Sequence, residues 1–332
     1  MGDYMSQAVE LTYVFAEAVR QGASDIHLGS HEPPMYRLNG VLTRAELPRV
    51  SDSQLRAWLM ELVPAAALEQ DAFDGVFEFM DLGRFRINLF RHQSGIAAAL
   101  RVVPSVVPRL DTLGLPPVID DVSRYERGLV LITGPTGSGK STTLAAIVDH
   151  INSIRAAHII TVEDPIEFVH TSRQSLIRQR QLGRDAESFP GALRSMLRED
   201  PDVIVVGELR DRETIQLALT AAETGHLVLA TLHSADAPRT IHRIVDVFPA
   251  ERQNQIRSML AESLQVIVSQ AMRPCPRRGR IVEAEVLIAI PAVRTLIRDG
   301  KLHQLRGVMQ ASRAVGMSTF EEGKQGVLRH DL

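Results

Sequence analysis

The stretch GPTGSGKST, Gly134 to Thr142, constrains the fold more than any other part of the chain. An apolar run without alternation, GLVLIT, leads into it, and STTLAAIVDHI, which has helical periodicity, leads out. A strand that is apolar at every position must be covered on both faces, the environment of a parallel sheet flanked by helices. Glycines at 134, 137 and 139 give the backbone freedom for a sharp strand-to-helix turn. The pattern fits G-x-x-x-x-G-K-[ST], a loop that turns backbone N–H groups and a helix N-terminus toward phosphate oxygens. Gly134, Pro135, Thr136, Gly137, Ser138, Gly139, Lys140, Ser141 and Thr142 are therefore expected to cradle a nucleotide. Lys140 would neutralise β- and γ-phosphate oxygens and Ser141 would ligate Mg²⁺.

A phosphate cradle alone hydrolyses nothing, because a water must be oriented and deprotonated and the metal must be held. Two later apolar runs end in acids: IITVED gives Glu163 and Asp164, and DVIVVGE gives Glu208. Parallel strands deliver their C-terminal ends to one edge of a sheet, so both sets of acids are expected beside the loop. Gly207 stands where the usual acidic ending, the Walker B motif, has a further acid. Glu208 is then expected to hold the magnesium shell while Glu163 polarises water. Asp164, ahead of Pro165, reads equally as a helix N-cap, and Glu167 reads as a surface residue. In HLVLATLHS, His226 opens a strand and His233 lies near its other end. A lone histidine is more often a hydrogen-bonded structural group than a catalytic one, and position favours His233 for the nucleotide edge.

Upstream the periodicity changes. Leu11, Val14, Phe15 and Ala18 recur at helical spacing, with Gly22 as C-cap. MYRLNGVLTR sets Asn39-Gly40 between alternating segments, a hairpin signal, and FEFMDLGRFRINLF reads as a strand pair turning near Gly83. Between them Ser51 caps a helix with Leu55, Trp58, Leu59 and Leu62 on one face. Residues 1–103 are thus expected to form a small α+β domain. Pro104, Pro108, Pro116 and Pro117 mark 104–117 as a linker, and 118–332 reads as an α/β domain. The final third of the chain, from RTIHRIVDVF on, reads as mainly helical with a hairpin near Gly279. In AVRTLIRDGKLHQL, 292–305, Val293, Leu296 and Ile297 share one helical face, and Arg294, Arg298 and Lys301 share another that is expected to stay free for a partner.

The chain of 332 residues has a formal charge of -3, which gives no basic field for nucleic acid. Its single cysteine, Cys275, makes neither an internal disulfide nor a four-thiolate zinc site. No apolar run approaches the roughly 20 residues that span a bilayer, and no basic region followed by an apolar core opens the chain, so a cytoplasmic location is expected. MGDYMS fits the bare N-myristoylation pattern but is read as an ordinary start.

ASDIHL, GPTGSGKSTT, TVEDPIEF, REDPDVIVVGELRD, TAAETGHLVLATLHS and HRIVDVFP, in this order and spacing, resemble the secretion-type hexameric ATPases of type IV pili. The likeness spans nearly the whole chain and is strongest to the members that retract the pilus. It implies a PAS-like N-terminal domain joined by a mobile linker to a RecA-like P-loop ATPase domain with a helical C-terminal part. ATP and Mg²⁺ are the implied ligands, and a homo-hexamer with nucleotide between neighbours the implied assembly. Implied partners are an inner-membrane pilus platform protein and a paralogous retraction ATPase. The implied place is the cytoplasmic side of the inner membrane, with peripheral association through partners.

By position the resemblance assigns the general base to Glu163, the atypical Walker B acid to Glu208 and a histidine box to His226 and His233. It also implies nucleotide-contacting arginines from the N-terminal domain, here Arg84, Arg86 and Arg101 in GRFRINLFRHQSGIAAALR. Alternation turns Arg84 and Arg86 away from Phe85, Ile87 and Leu89, which reads also as a solvated sheet face. Ser234 replaces a common threonine, and the tail GMSTFEEGKQGVLRHDL departs from the family pattern. Competing readings are an assembly ATPase of type II secretion or pilus extension, a DNA-translocating motor, and a nucleotide-binding regulatory subunit with little turnover. Assembly ATPases usually carry a longer N-terminal region and a tetracysteine zinc module.

Overall fold

Helix α1 (Leu11–Arg20) buries the stripe that its spacing marks: Leu11, Val14, Phe15 and Ala18. The computed structural model describes residues 10–103, 106–275 and 279–320, the side chains at 274, 275, 279 and 280 excepted. The Gly2 pattern and the tail beyond Phe320 lie outside the described residues. The chain divides into two units, Met1–Val106 and Val107–Leu332.

In the first unit α1 is followed by β1 (Asp25–Gly29), β2 (Met35–Leu38), β3 (Val41–Arg44), α2 (Asp52–Leu62), β4 (Ala72–Glu78), β5 (Arg84–His92) and β6 (Gly95–Val103). The strands form one antiparallel sheet in the order β3-β2-β1-β6-β5-β4. Asn39 and Gly40 both have positive φ, as a two-residue hairpin turn between β2 and β3 demands. Ser51 Oγ accepts from Gln54 N at 3.2 Å and so caps α2. The core is aromatic around Phe15, whose ring centroid lies 4.7 Å from those of Phe79 and Phe85. Along β5, Phe85, Ile87 and Leu89 are buried while Arg86 is exposed, so the alternation holds.

In the second unit come β7 (Gly128–Thr133), α3 (Lys140–Ile154), β8 (His158–Glu163), β9 (Leu176–Gln181), α4 (Phe189–Met196), β10 (Val203–Val206), α5 (Arg212–Glu223) and β11 (Leu227–Leu232). They continue through α6 (Ala237–Asp246), α7 (Ala250–Ser263), β12 (Leu264–Cys275), β13 (Gly279–Ile288), α8 (Pro291–Arg298) and α9 (Leu305–Ala311). The sheet runs β13-β12-β7-β11-β10-β8-β9, parallel except for the antiparallel pairing of β13. Alternate residues of each central strand feed two cores. Leu129 and Leu131 join a layer under α4 to α7, and Val130 and Ile132 join one under α3. Burial on both faces is what the unbroken apolar runs encode.

Two expectations need correction. Prolines bar helix and ladder bonding but not burial: Leu110, inside the expected linker, packs into the α3-side core, and residues from 107 belong to the second unit. The C-terminal third is mainly helical, α6 to α9, and its one expected hairpin near Gly279 is the antiparallel pair β12 and β13, which extends the sheet.

The second correction concerns the basic face of α8, which is not free. Val293 and Ile297 are buried as expected, but Arg294 Nη1 donates to Ala261 O at 2.6 Å and Glu262 O at 2.8 Å, and Nη2 to Gln265 Oε1 at 3.3 Å. The last carbonyls of α7 lack partners within their own helix, and this guanidinium supplies them. Its burial pulls the Arg294 pKa below the ordinary arginine value. Lys301 pairs with Asp299 at 3.0 Å, and Arg298 reaches Glu262 only at 4.0 Å. Arg294→Ala should therefore destabilise the protein by about 1–3 kcal/mol, by stranding two carbonyls. Arg298→Ala, at an exposed pair, should cost less than about 1 kcal/mol; urea denaturation of the two variants side by side checks the contrast.

Candidate active site

Register brings the chemistry together. Val206 pairs with both Val162 and Ala230, and Thr133 pairs with Leu232. The residues just beyond β7, β8, β10 and β11 therefore share one edge, where they line a cleft of about 360 Å³ that includes Thr136, Lys140, Ser141, Glu163, Glu208 and His233.

The loop has the shape of a phosphate cradle. Gly134 lies at φ +146°, and a Cβ there would stand 2.3 Å from Gln270 O and 2.5 Å from Ser138 Oγ, so only glycine fits. Ser138 Oγ is buried with no hydrogen-bond partner among the described residues. A buried polar atom of this kind costs stability unless something binds it, and a phosphate oxygen is the fitting acceptor. Lys140 Nζ donates to Gly134 O at 3.0 Å and Pro135 O at 2.9 Å, and stands 3.5 Å from His233 Nδ1. Burial lowers its pKa, opposed by the charges of Glu208 and Glu167. Glu167 is exposed, as expected, yet it lines the cleft.

The acids are joined through a residue that the sequence reading missed. Glu208 Oε1 lies 3.3 Å from His233 Nε2, and Oε2 accepts from Arg210 Nε at 2.8 Å. Arg210 Nη1 reaches Asp164 Oδ2 at 3.4 Å. The available signal for Arg210 was its place two residues after Glu208, on the same strand exit. No helix follows Pro165, so Asp164 is not an N-cap. Glu163 Oε1 accepts from Thr161 Oγ1 at 2.7 Å and from Gln179 Nε2 at 3.1 Å. Among the described residues no cluster of three or more His, Cys, Asp or Glu could hold a metal by itself. Mg²⁺ on a nucleotide needs only one or two protein groups beside the phosphates, and Ser141 and Glu208 in one cleft fit that need.

Gly207 now has a reason. A Cβ there would lie 3.1 Å from Glu163 Cα and 3.2 Å from Val162 O, because the exits of β8 and β10 run against each other. An acid at this position would have to push the β8 main chain aside.

Other predicted residues stand elsewhere. His226 precedes β11 at the sheet edge opposite His233, with Nδ1 at 3.0 Å from Ala221 O; it belongs to a helix-to-strand turn and is outside the cleft. Arg84, Arg86 and Arg101 lie on the first unit's sheet, where Arg86 and Arg101 are cross-strand neighbours. Arg101 Nε bonds Asp25 Oδ1 at 3.0 Å.

A glycine-rich loop after one strand of a parallel sheet, with acids at the ends of two others, is the site of a RecA-like P-loop nucleotide hydrolase. The chain belongs to the Type II/IV secretion system protein family, whose profile matches residues 5–327. It is 46% identical to the Type IV pilus retractation ATPase PilT of Pseudomonas aeruginosa, over 98% of this chain and 95% of that protein. It is 37% identical to the Type IV pilus ATPase PilU of the same organism, over 92% and 81% of the two chains. A crystal structure of the pilus retraction motor PilT with bound ADP superposes with a TM-score of 0.87 at 42% identity, covering 96% of both chains. No helix among the described residues is long and apolar enough to cross a membrane.

The crowding at position 207 is testable. Gly207→Ala should force the β8 and β10 exits apart, costing about 1–3 kcal/mol as overpacking does, with slower nucleotide turnover. Chemical denaturation and a turnover assay check this; unchanged stability would mean that the two backbones separate without cost.

Proposed function

We propose that this protein is an ATP-hydrolysing motor that drives type IV pilus retraction and so twitching motility. The observation that carries the reading is Glu163 held at the edge of the same cleft as the phosphate loop and Glu208, in a chain similar to PilT over almost its full length. The greater identity to PilT than to PilU, 46% against 37%, supports the PilT side of the family.

ATP binds with its β- and γ-phosphates on the 134–142 loop, and Lys140 turns from the loop carbonyls toward phosphate oxygens. Ser141 and Glu208 would hold Mg²⁺, which would supply further positive charge at the phosphates. Glu163 takes a proton from water as its oxygen attacks the γ-phosphorus, and the bond from that phosphorus to the ADP oxygen breaks. His233, between Lys140 and Glu208, links the loop to the metal-holding acid.

The cleft lining has four acids, Glu163, Asp164, Glu167 and Glu208, against Lys140 and Arg210. That imbalance supports a further source of positive charge. In this reading it is Arg84, Arg86 or Arg101 of a neighbouring copy in a ring of six. Such an arginine is worth roughly 10³–10⁵ in rate. The ring works at the cytoplasmic face of the inner membrane, held there by a pilus platform protein and alongside a paralogous retraction ATPase.

Glu163→Gln should keep nucleotide binding and lower turnover by about 10²–10⁴, whereas Lys140→Ala should lose binding as well. Normal turnover in Glu163→Gln would move the base role to another acid. Deleting the gene should leave the cell surface with excess pili and no twitching, restored by the wild-type copy; depleted pili would overturn retraction. Mixing Arg86→Ala and Glu163→Gln chains should recover part of the activity if the arginine acts across copies.

A further inference from the structure

Strand β9 is the polar edge of the parallel sheet, and its sequence, LIRQRQ, has no apolar run. Its glutamines hold the acidic end of β8 and the segment that follows. Gln181 Oε1 accepts from Ile166 N at 3.3 Å. Gln179 is tied at three points: Oε1 accepts from His170 N at 2.8 Å, and Nε2 donates to Phe168 O at 2.8 Å and to Glu163 Oε1 at 3.1 Å.

The orientation of this amide follows from chemistry. A backbone N–H only donates and a backbone carbonyl only accepts, so His170 N and Phe168 O together determine which end of the amide is oxygen. Nε2 must then meet Glu163 as a donor. Thr161, on β8 and 1% exposed, donates its hydroxyl to the same carboxylate oxygen at 2.7 Å. Two donors from two neighbouring strands converge on Oε1 and oppose rotation of the carboxylate. Gln179 also grips the main chain at 168 and 170, and Phe168 and His170 both line the cleft.

We propose that Gln179, assisted by Thr161, is a positioning residue for hydrolysis: its amide holds the Glu163 carboxylate in the orientation from which it takes the proton of water. The same amide makes the base and the 164–170 wall of the cleft move as one unit. The proposal rests on the reading of Glu163 as the general base. A base misplaced by about 1 Å loses on the order of 10²-fold in rate, so the effect falls on the chemical step and spares nucleotide binding.

The test is steady-state ATPase kinetics of the purified full-length protein, with direct binding of a fluorescent ATP analogue. Gln179→Leu should lower kcat by about 10- to 100-fold and leave KM and the analogue's Kd within about twofold. Gln179→Glu keeps an acceptor for His170 N but sets a like charge against Glu163, and should show the same split. In a Glu163→Gln background, Gln179→Leu should lower kcat no further, the non-additivity of residues acting through one group. Unchanged kcat in the Gln179 variants overturns the proposal, as does an equal rise in KM and Kd, or the same loss with and without the Glu163 carboxylate. If Gln179→Leu fails to fold, Gln179→Glu and Thr161→Val carry the test with the same expected split. Normal turnover in Glu163→Gln would sink the general-base reading and this proposal with it. A crippled Glu163→Gln beside unaffected Gln179 variants overturns this proposal alone.

Discussion

Parallel hydrogen bonding among β7, β11, β10 and β8 determines where every group of the cleft stands. Adjacent parallel strands in register end together, so Val206 beside Val162 sets Gly207 level with Glu163 and Glu208 one residue beyond, and Leu232 beside Thr133 carries His233 to the phosphate loop. One residue of slip would exchange the two faces of a strand. Here it would exchange the two apolar cores as well, since alternate residues of each strand feed opposite layers. The site is thus as well specified as the core. The closeness of the strand exits has its own consequence at Gly207, where a side chain would press on the main chain of β8.

Charge is arranged around a buried cation. Lys140 is only 9% exposed, and burial of an ammonium group disfavours its charged form. Two loop carbonyls and the nearby Glu208 and Glu167 compensate in part. The acids themselves are spread by Arg210, which bonds Glu208 and Asp164 together, and by His233 on the other side of Glu208. An anionic ligand entering this cleft meets backbone N–H groups and Lys140 at the loop and a surplus of carboxylates opposite. That asymmetry suits phosphate on one wall and a metal with an attacked water near the other.

The helices beyond β11 are tied into the body by similar polar bonds. Buried Glu285, on β13, accepts from Ala237 N at the start of α6, and its burial pushes its pKa up. Arg306 on α9 reaches Asp236, the N-cap of α6, at 3.2 Å. Arg294 holds the end of α7. Arg294 and Arg306, long cations on these helices, are drawn to an unsatisfied helix end and to an acid at a helix N-cap, because a helix end leaves several backbone groups without partners.

Local pattern was enough for much of this protein. Glycines at 134, 137 and 139 between an unbroken apolar run and a helical one have few conformations open to them, so the loop, its lysine and its serine were legible at once. Alternation around Asn39-Gly40 and along 84–89 was equally direct, because pleat and turn depend on neighbours in the chain. The acids of the cleft were legible through one global rule, that parallel strands end together. What the sequence could not carry were relations between distant segments that leave no periodic trace. β9 is an edge strand with no face fully buried, so its polar pattern announced nothing, yet Gln179 reaches Glu163 across 16 residues. Arg294 looked like a surface cation until α7 was found to end beneath it. His226 and His233 looked alike in a single motif, and only the direction of β11 separated them, since one strand has its two ends on opposite edges of the sheet.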